Sequence, residues 1–122
     1  MADGPAHLPP EMAPPEVDCT VYSGWYPLLT RLHRQLTSVT TDFTYAQIKE
    51  KYGTLRCHVD YGESVDEFTR GVCEVLIGAS TDESRTVCEF CGRHGSTRDD
   101  LPRIKTMCAA CCRPRKPHDH AE

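Results

Sequence analysis

Apolar side chains recur at helical spacing in two stretches of the chain. In GWYPLLTRLHRQLTSV, Leu28, Leu29, Leu32 and Leu36 fall three and four residues apart, while Arg31, Arg34 and Gln35 take the other side. That is the stripe of an amphipathic helix. It is predicted over about 24–38, with Gly24 and Pro27 at its start and Trp25 packed there. In ESVDEFTRGVCEVLIGASTDES, Val65, Phe68, Val72, Val75, Leu76 and Ala79 repeat the spacing and predict a helix over about 64–81. Ser64 and Glu67 form a capping-box signature at its start. Gly71 and Gly78 each weaken this helix by roughly 1 kcal/mol relative to alanine.

The segment between them, TTDFTYAQIKEKYGTLRCHVDYG, can be read as a helical face of Tyr45, Ile48 and Tyr52 or as two strands. Its β-branched and aromatic content favours strands. Gly53-Thr54 suits a two-residue type II′ turn. That turn would pair Tyr52 with Leu55, Glu50 with Cys57 and Ile48 with Val59 on a mostly apolar face. Lys49 with His58 and Lys51 with Arg56 would form a basic face, leaving Glu50 as a carboxylate on the apolar side. The expected fold is α+β: two helices packed on a β-hairpin, followed by a four-cysteine module.

Length limits the chain to one domain of 122 residues with a small appendage. Residues 1–18 hold five of the nine prolines and are expected to form a disordered tail. Residues 19–84 form the α+β core, 85–113 the cysteine module and 114–122 a polar tail that carries His118 and His120. No stretch approaches the roughly 18 apolar residues of a membrane span. The N-terminus has neither a basic start nor an apolar run, so a cytoplasmic location is expected. In that reducing compartment disulfides rarely persist.

The eight cysteines therefore point to a metal or to redox chemistry. Cys88-Glu-Phe-Cys91-Gly92, sixteen residues, then Cys108-Ala-Ala-Cys111 is the spacing of a four-thiolate zinc site. Two residues between cysteines let a tight turn aim both sulfurs at one point, and two such pairs complete a tetrahedron. Gly92 supplies a position where φ can be positive. A site with four protein thiolates has no open position, which makes it structural. A redox dithiol and an iron–sulfur cluster are the alternatives. Cys112 points away from its neighbour Cys111 and is left out of the ligand set, with a swap for Cys111 as the alternative. Cys57 and Cys73 lie on apolar faces as core residues.

Three blocks resemble a family of small, functionally uncharacterised zinc-ribbon proteins of phages, prophages and their bacterial hosts. They are Gly24-Trp25-x-x-Leu28-Leu29-x-x-Leu32, Gln47-Ile48-Lys49-Glu50-Lys51-Tyr52-Gly53-Thr54-Leu55-Arg56, and Cys88-Glu89-x-Cys91-Gly92 with Thr106-Met107-Cys108-x-x-Cys111. The resemblance covers roughly residues 24–111 and implies a C-terminal zinc ribbon with one structural zinc ion. It implies no activity.

Charge narrows the function classes. The net charge of −4 divides into −7 over residues 1–84, +5 over 85–116 and −2 over the last six residues. Four thiolates on a zinc ion would bring the basic module to about +3. Lys49, Lys51 and Arg56 on the hairpin, with Arg98, Arg103 and Lys105 on the module, are the candidate contacts to a partner. The expected role is a non-enzymatic nucleic-acid-associated accessory factor, with a protein-interaction adaptor as the alternative. No nucleophile–base pair, phosphate-binding glycine loop or open metal site points to catalysis. Glu50 is the one candidate acid or base, and no catalytic residue is assigned.

Overall fold

The leucine stripe forms the helix its spacing predicts. In the computed structural model, which describes Met12 and residues 18–112, helix α1 runs Tyr26–Val39 with Pro27 in its first turn. A 3-10 turn at Ser23–Trp25 leads into it. Leu28, Leu29, Leu32, Leu36 and Trp25 are all buried. Strands β1 (Asp18–Thr20), β2 (Phe43–Lys51) and β3 (Thr54–Tyr61) form one sheet in the order β1-β2-β3. β1 is parallel to β2, and β2 is antiparallel to β3. Helix α2 spans Glu67–Ser84. Tyr45, Ile48, Leu55 and Cys57 of the sheet meet the leucine stripe, Cys73 and Ile77 of α2, and Met12 in one core. Nothing in the sequence pattern announces β1, because three residues are too few to show alternation.

The turn between β2 and β3 differs from the expected one. It is made by Tyr52 and Gly53, with φ of 55° and 78°, the two positive values that define a type I′ turn. Lys51 pairs with Thr54, Glu50 with Leu55, Lys49 with Arg56 and Ile48 with Cys57. Each residue from Ile48 to Lys51 thus faces a partner two positions earlier on β3 than predicted. Side chains alternate with a period of two, so this slip leaves Ile48 to Lys51 on their predicted faces, but it moves Tyr52 off the apolar face into the turn, where it is 64% exposed. The cause is tertiary. Gly53 sits against the cysteine module so closely that a Cβ would lie 3.2 Å from Thr106 Oγ1. A register irregularity between Tyr45 and Gln47 then lets Tyr45 and Ile48, three apart, both turn inward.

Helix α2 is displaced towards the C-terminus from its expected span. Its N-cap is Asp66, whose carboxylate accepts the Thr69 N–H at 2.8 Å. Ser64 is not the cap. It donates through its N–H and hydroxyl to Asp42 instead. The buried face is also rotated: Cys73, Ile77, Ser80 and Ser84 are inside, whereas Phe68 is 80% and Val75 71% exposed. The last turn explains the rotation. Ser84 Oγ accepts the Leu55 N–H at 2.9 Å, and Thr81 Oγ1 donates to Leu55 O at 2.8 Å. Two polar side chains of α2 thereby complete the hydrogen bonding of β3's outer backbone, where an unpaired group is costly.

Gly71 and Gly78 have open space where a Cβ would stand. Gly71→Ala and Gly78→Ala are each expected to stabilise the protein by about 0.5–1 kcal/mol, by removing the entropic penalty of a mid-helix glycine. Thermal unfolding of both variants checks this, and a lowered Tm in either contradicts it.

The sheet face away from the helices carries Lys49, Lys51, Arg56 and His58, with Gln47, Thr20 and the exposed Asp60 alongside. Of the expected tail 1–18, Met12 is buried in the core and Asp18 opens β1. The remaining residues to position 17, and 113–122 with His118 and His120, lie outside the described residues. Among the described residues no helix is long and apolar enough to cross a membrane.

Candidate metal centre

Each cysteine pair sits on a turn shaped by its backbone. In the first, Cys88 O accepts the Gly92 N–H at 3.0 Å and the Cys88 N–H donates to Arg93 O at 2.7 Å. Gly92 takes the positive φ expected of it, 84°. Strands β4 (Ser96–Arg98) and β5 (Lys105–Met107) then run out and back antiparallel, with Thr97 opposite Thr106. The short helix α3 (Ala109–Cys112) begins directly after Cys108. It turns the Cys111 N–H towards Cys108 Sγ at 3.4 Å.

These elements bring Cys88, Cys91, Cys108 and Cys111 together, with all four sulfurs within 4.8 Å of one another. Cys91 and Cys108 are 3.5 Å apart. Zn–S bonds near 2.3 Å at tetrahedral angles place sulfurs about 3.8 Å apart, so this donor set fits a single metal ion. The Cys111 N–H and the Cys91 thiol lower the Cys108 thiol to about 6, and the Cys108 sulfur and burial in turn push the Cys111 thiol up to about 12. Burial opposes ionisation of Cys88, but the N–H groups of Cys108, Cys91 and Phe90 outweigh it and lower that thiol too. Cys112 stands outside the cluster, its sulfur approached by the Arg98 guanidinium. Cys57 and Cys73 are core residues as expected, and burial, then Glu74 and Cys19, push the Cys57 thiol up to about 12.

The cysteine turns are bolted to the rest of the fold by residues of all three sequence blocks. A Cβ at Gly24 would lie 2.3 Å from Cys88 O and 2.4 Å from Glu89 O, so no side chain fits there. The Gly24 N–H donates to Glu89 O at 2.8 Å, and Trp25 Nε1 donates to Val87 O at 2.8 Å. On the other side, Thr106 Oγ1 donates to Gly53 O at 2.6 Å. Tyr22 stacks on Phe90 with centroids 4.5 Å apart.

Between these contacts lies a charged junction. Lys105 Nζ stands 3.2 Å from Glu50 Oε1 and 3.5 Å from Glu89 Oε1. Glu89 is fully buried. Its Oε2 accepts the Thr106 N–H at 2.8 Å, while its Oε1 has no hydrogen bond and only the ion-pair contact to Lys105. Burial pushes the Glu89 carboxyl up, against the pull of the Thr106 N–H and Lys105. Glu50 Oε2 accepts the Gly53 N–H at 2.7 Å, so both Glu50 oxygens are engaged. Sequence reasoning singled out Glu50 and missed Glu89. A residue between two ligand cysteines looks like a spacer, and only the return of β5 closes over it.

The six candidate contact residues separate. Lys49, Lys51 and Arg56 share the sheet face away from the helices. Arg103 is exposed beside the β2–β3 turn. Arg98 makes paired bonds to Asp100. Lys105 is committed to two carboxylates with its side chain 17% exposed, which argues against a surface contact. No family model, no curated protein and no solved structure matches this chain.

Proposed function

We propose that the protein is a non-enzymatic nucleic-acid-binding module whose four cysteines form a zinc ribbon around one structural zinc ion. The carrying observation is the sheet face opposite the helices. Lys49 and Arg56 are directly opposed there, with Lys51 and His58 on the same face. Among the described residues none of these four has a carboxylate partner, since every ion pair is made elsewhere. The helical side is acidic, with Asp66, Glu67, Glu74, Asp82 and Glu83 exposed along α2 or at its cap. Three cations without a carboxylate partner, Lys49, Lys51 and Arg56, outweigh the one exposed carboxylate on that face, Asp60, and attract phosphates, while the acidic helical side orients the encounter. Four thiolates around zinc leave no position for substrate, and both Glu50 oxygens are occupied, which supports a binding role over catalysis.

A gel-shift titration with single- and double-stranded DNA and RNA tests this. A shift is expected at micromolar protein and about 50 mM salt. Affinity should fall on the order of 50-fold at fourfold higher salt, as for about four neutralised phosphates on a single strand. Lys49→Ala with Arg56→Ala should weaken binding and flatten that salt dependence. No shift under these conditions overturns the reading. A protein partner is the second reading, favoured by exposed Phe68 and Val75 on α2.

A further inference from the structure

The turn that joins β2 to β3 holds a side chain its geometry disfavours. Tyr52 has φ of 55°, at a position where Asn, Asp or Gly is ordinarily found. A bulky non-glycine residue there is strained and persists only when its surroundings impose it. Burial of the ring does not compensate, because Tyr52 is 64% exposed. Its neighbour Gly53 is the residue packed on the cysteine module. The fold therefore needs the turn, and Gly53 in it, but makes little use of the Tyr52 ring.

That ring stands at a groove of about 380 Å³ between the turn and the 102–104 segment, lined by Glu50, Lys51, Tyr52, Pro102, Arg103 and Ile104. The volume lies at the small end of ligand-binding clefts, about 300–1,000 Å³. Glu50 is already paired with Lys105 and with the Gly53 N–H. The cations left for a ligand are Lys51, whose Nζ is 5.7 Å from the Tyr52 ring centroid, and Arg103. Pro102 and Ile104 supply apolar surface. An exposed aromatic face, apolar walls and two uncompensated cations match a flat ring carrying a phosphate. Lys51 also belongs to the basic sheet face, so a strand whose phosphates follow Lys49 and Arg56 reaches the groove through it.

We propose that this groove seats one unpaired nucleotide of a single strand, its base against Tyr52 and its phosphate between Lys51 and Arg103. The inference rests on the nucleic-acid reading above and narrows it to single-stranded DNA or RNA. A base inside a duplex has no free face to offer the ring. No amide or carboxylate free to read a base edge lines the groove, so binding is tolerant of sequence.

The test uses the full zinc-loaded chain and fluorescence anisotropy with a short single-stranded DNA, the same sequence as RNA, and a duplex. Tyr52→Asn suits the type I′ turn, so it should melt at or above the wild-type temperature. It should nevertheless lose about tenfold in single-strand affinity while leaving duplex binding unchanged. Tyr52→Phe keeps the ring and should bind as wild type. Arg103→Ala, at an exposed position, should weaken single-strand binding and its salt dependence. If Tyr52→Asn and Arg103→Ala bind single strands as wild type while Lys49→Ala/Arg56→Ala does not, the groove proposal fails and the sheet-face reading stands. If the wild-type chain binds no nucleic acid, both fail.

Discussion

Serine at Cys91 or Cys108 is expected to release the metal and unfold residues 85–112, while the α+β core remains folded. The two cysteine turns are joined by β4 and β5, strands of three residues each, which cannot stand without a core or a metal. Metal affinity and module folding are then one free energy, on the order of 10 kcal/mol for a thiolate zinc site. The core has its own apolar interior of Trp25, the leucine stripe, Ile48 and Leu55. It should survive with reduced stability, because Gly53 and Trp25 lose their hydrogen-bond partners Thr106 and Val87. Far-ultraviolet circular dichroism with metal analysis reads both effects. Cys19→Ser should release no metal, because Cys19 lies in β1 opposite Ile48. A Cys91→Ser protein that keeps its metal and its module fold would contradict the assignment.

The second large effect is expected at Lys105. Lys105→Met removes the cation that faces Glu50 and the fully buried Glu89. Leaving a buried carboxylate without its counter-ion typically costs about 3–5 kcal/mol. In a domain of this size that lowers Tm by more than about 10 °C. Adding Glu89→Gln should recover most of the loss. The amide oxygen can still accept the Thr106 N–H, and no uncompensated charge remains inside. Thermal melts of the single and double variants make the comparison. A double variant no more stable than Lys105→Met alone would place the defect in packing rather than charge.

Local signals in the sequence were read well, and signals set at a distance were not. The leucine stripe and the inward Trp25 follow from periodicity within a few residues, and the convergence of four sulfurs follows from the spacing of two cysteine pairs. The pairing register did not, because the position of Gly53 is fixed by Thr106, 53 residues away. Phe68 and Val75 looked like core residues, while Ser80 and Ser84 occupy the interior. The orientation of α2 serves the Leu55 backbone, a demand that hydrophobicity does not encode. Lys105 looked like one more surface cation in a basic module. Its role became visible only when β5 laid it between carboxylates from β2 and from the first cysteine turn. The chemistry-bearing residues were therefore legible by type, and the junction that ties them to the fold was not.

Elemental analysis of the purified, reduced protein in chelator-free buffer is the direct test of the proposed zinc centre. About one zinc per chain is expected, lost together when Cys91 or Cys108 is replaced by serine. A metal content below about a tenth per chain, in a preparation whose residues 85–112 are nonetheless folded, would contradict a structural zinc at Cys88, Cys91, Cys108 and Cys111.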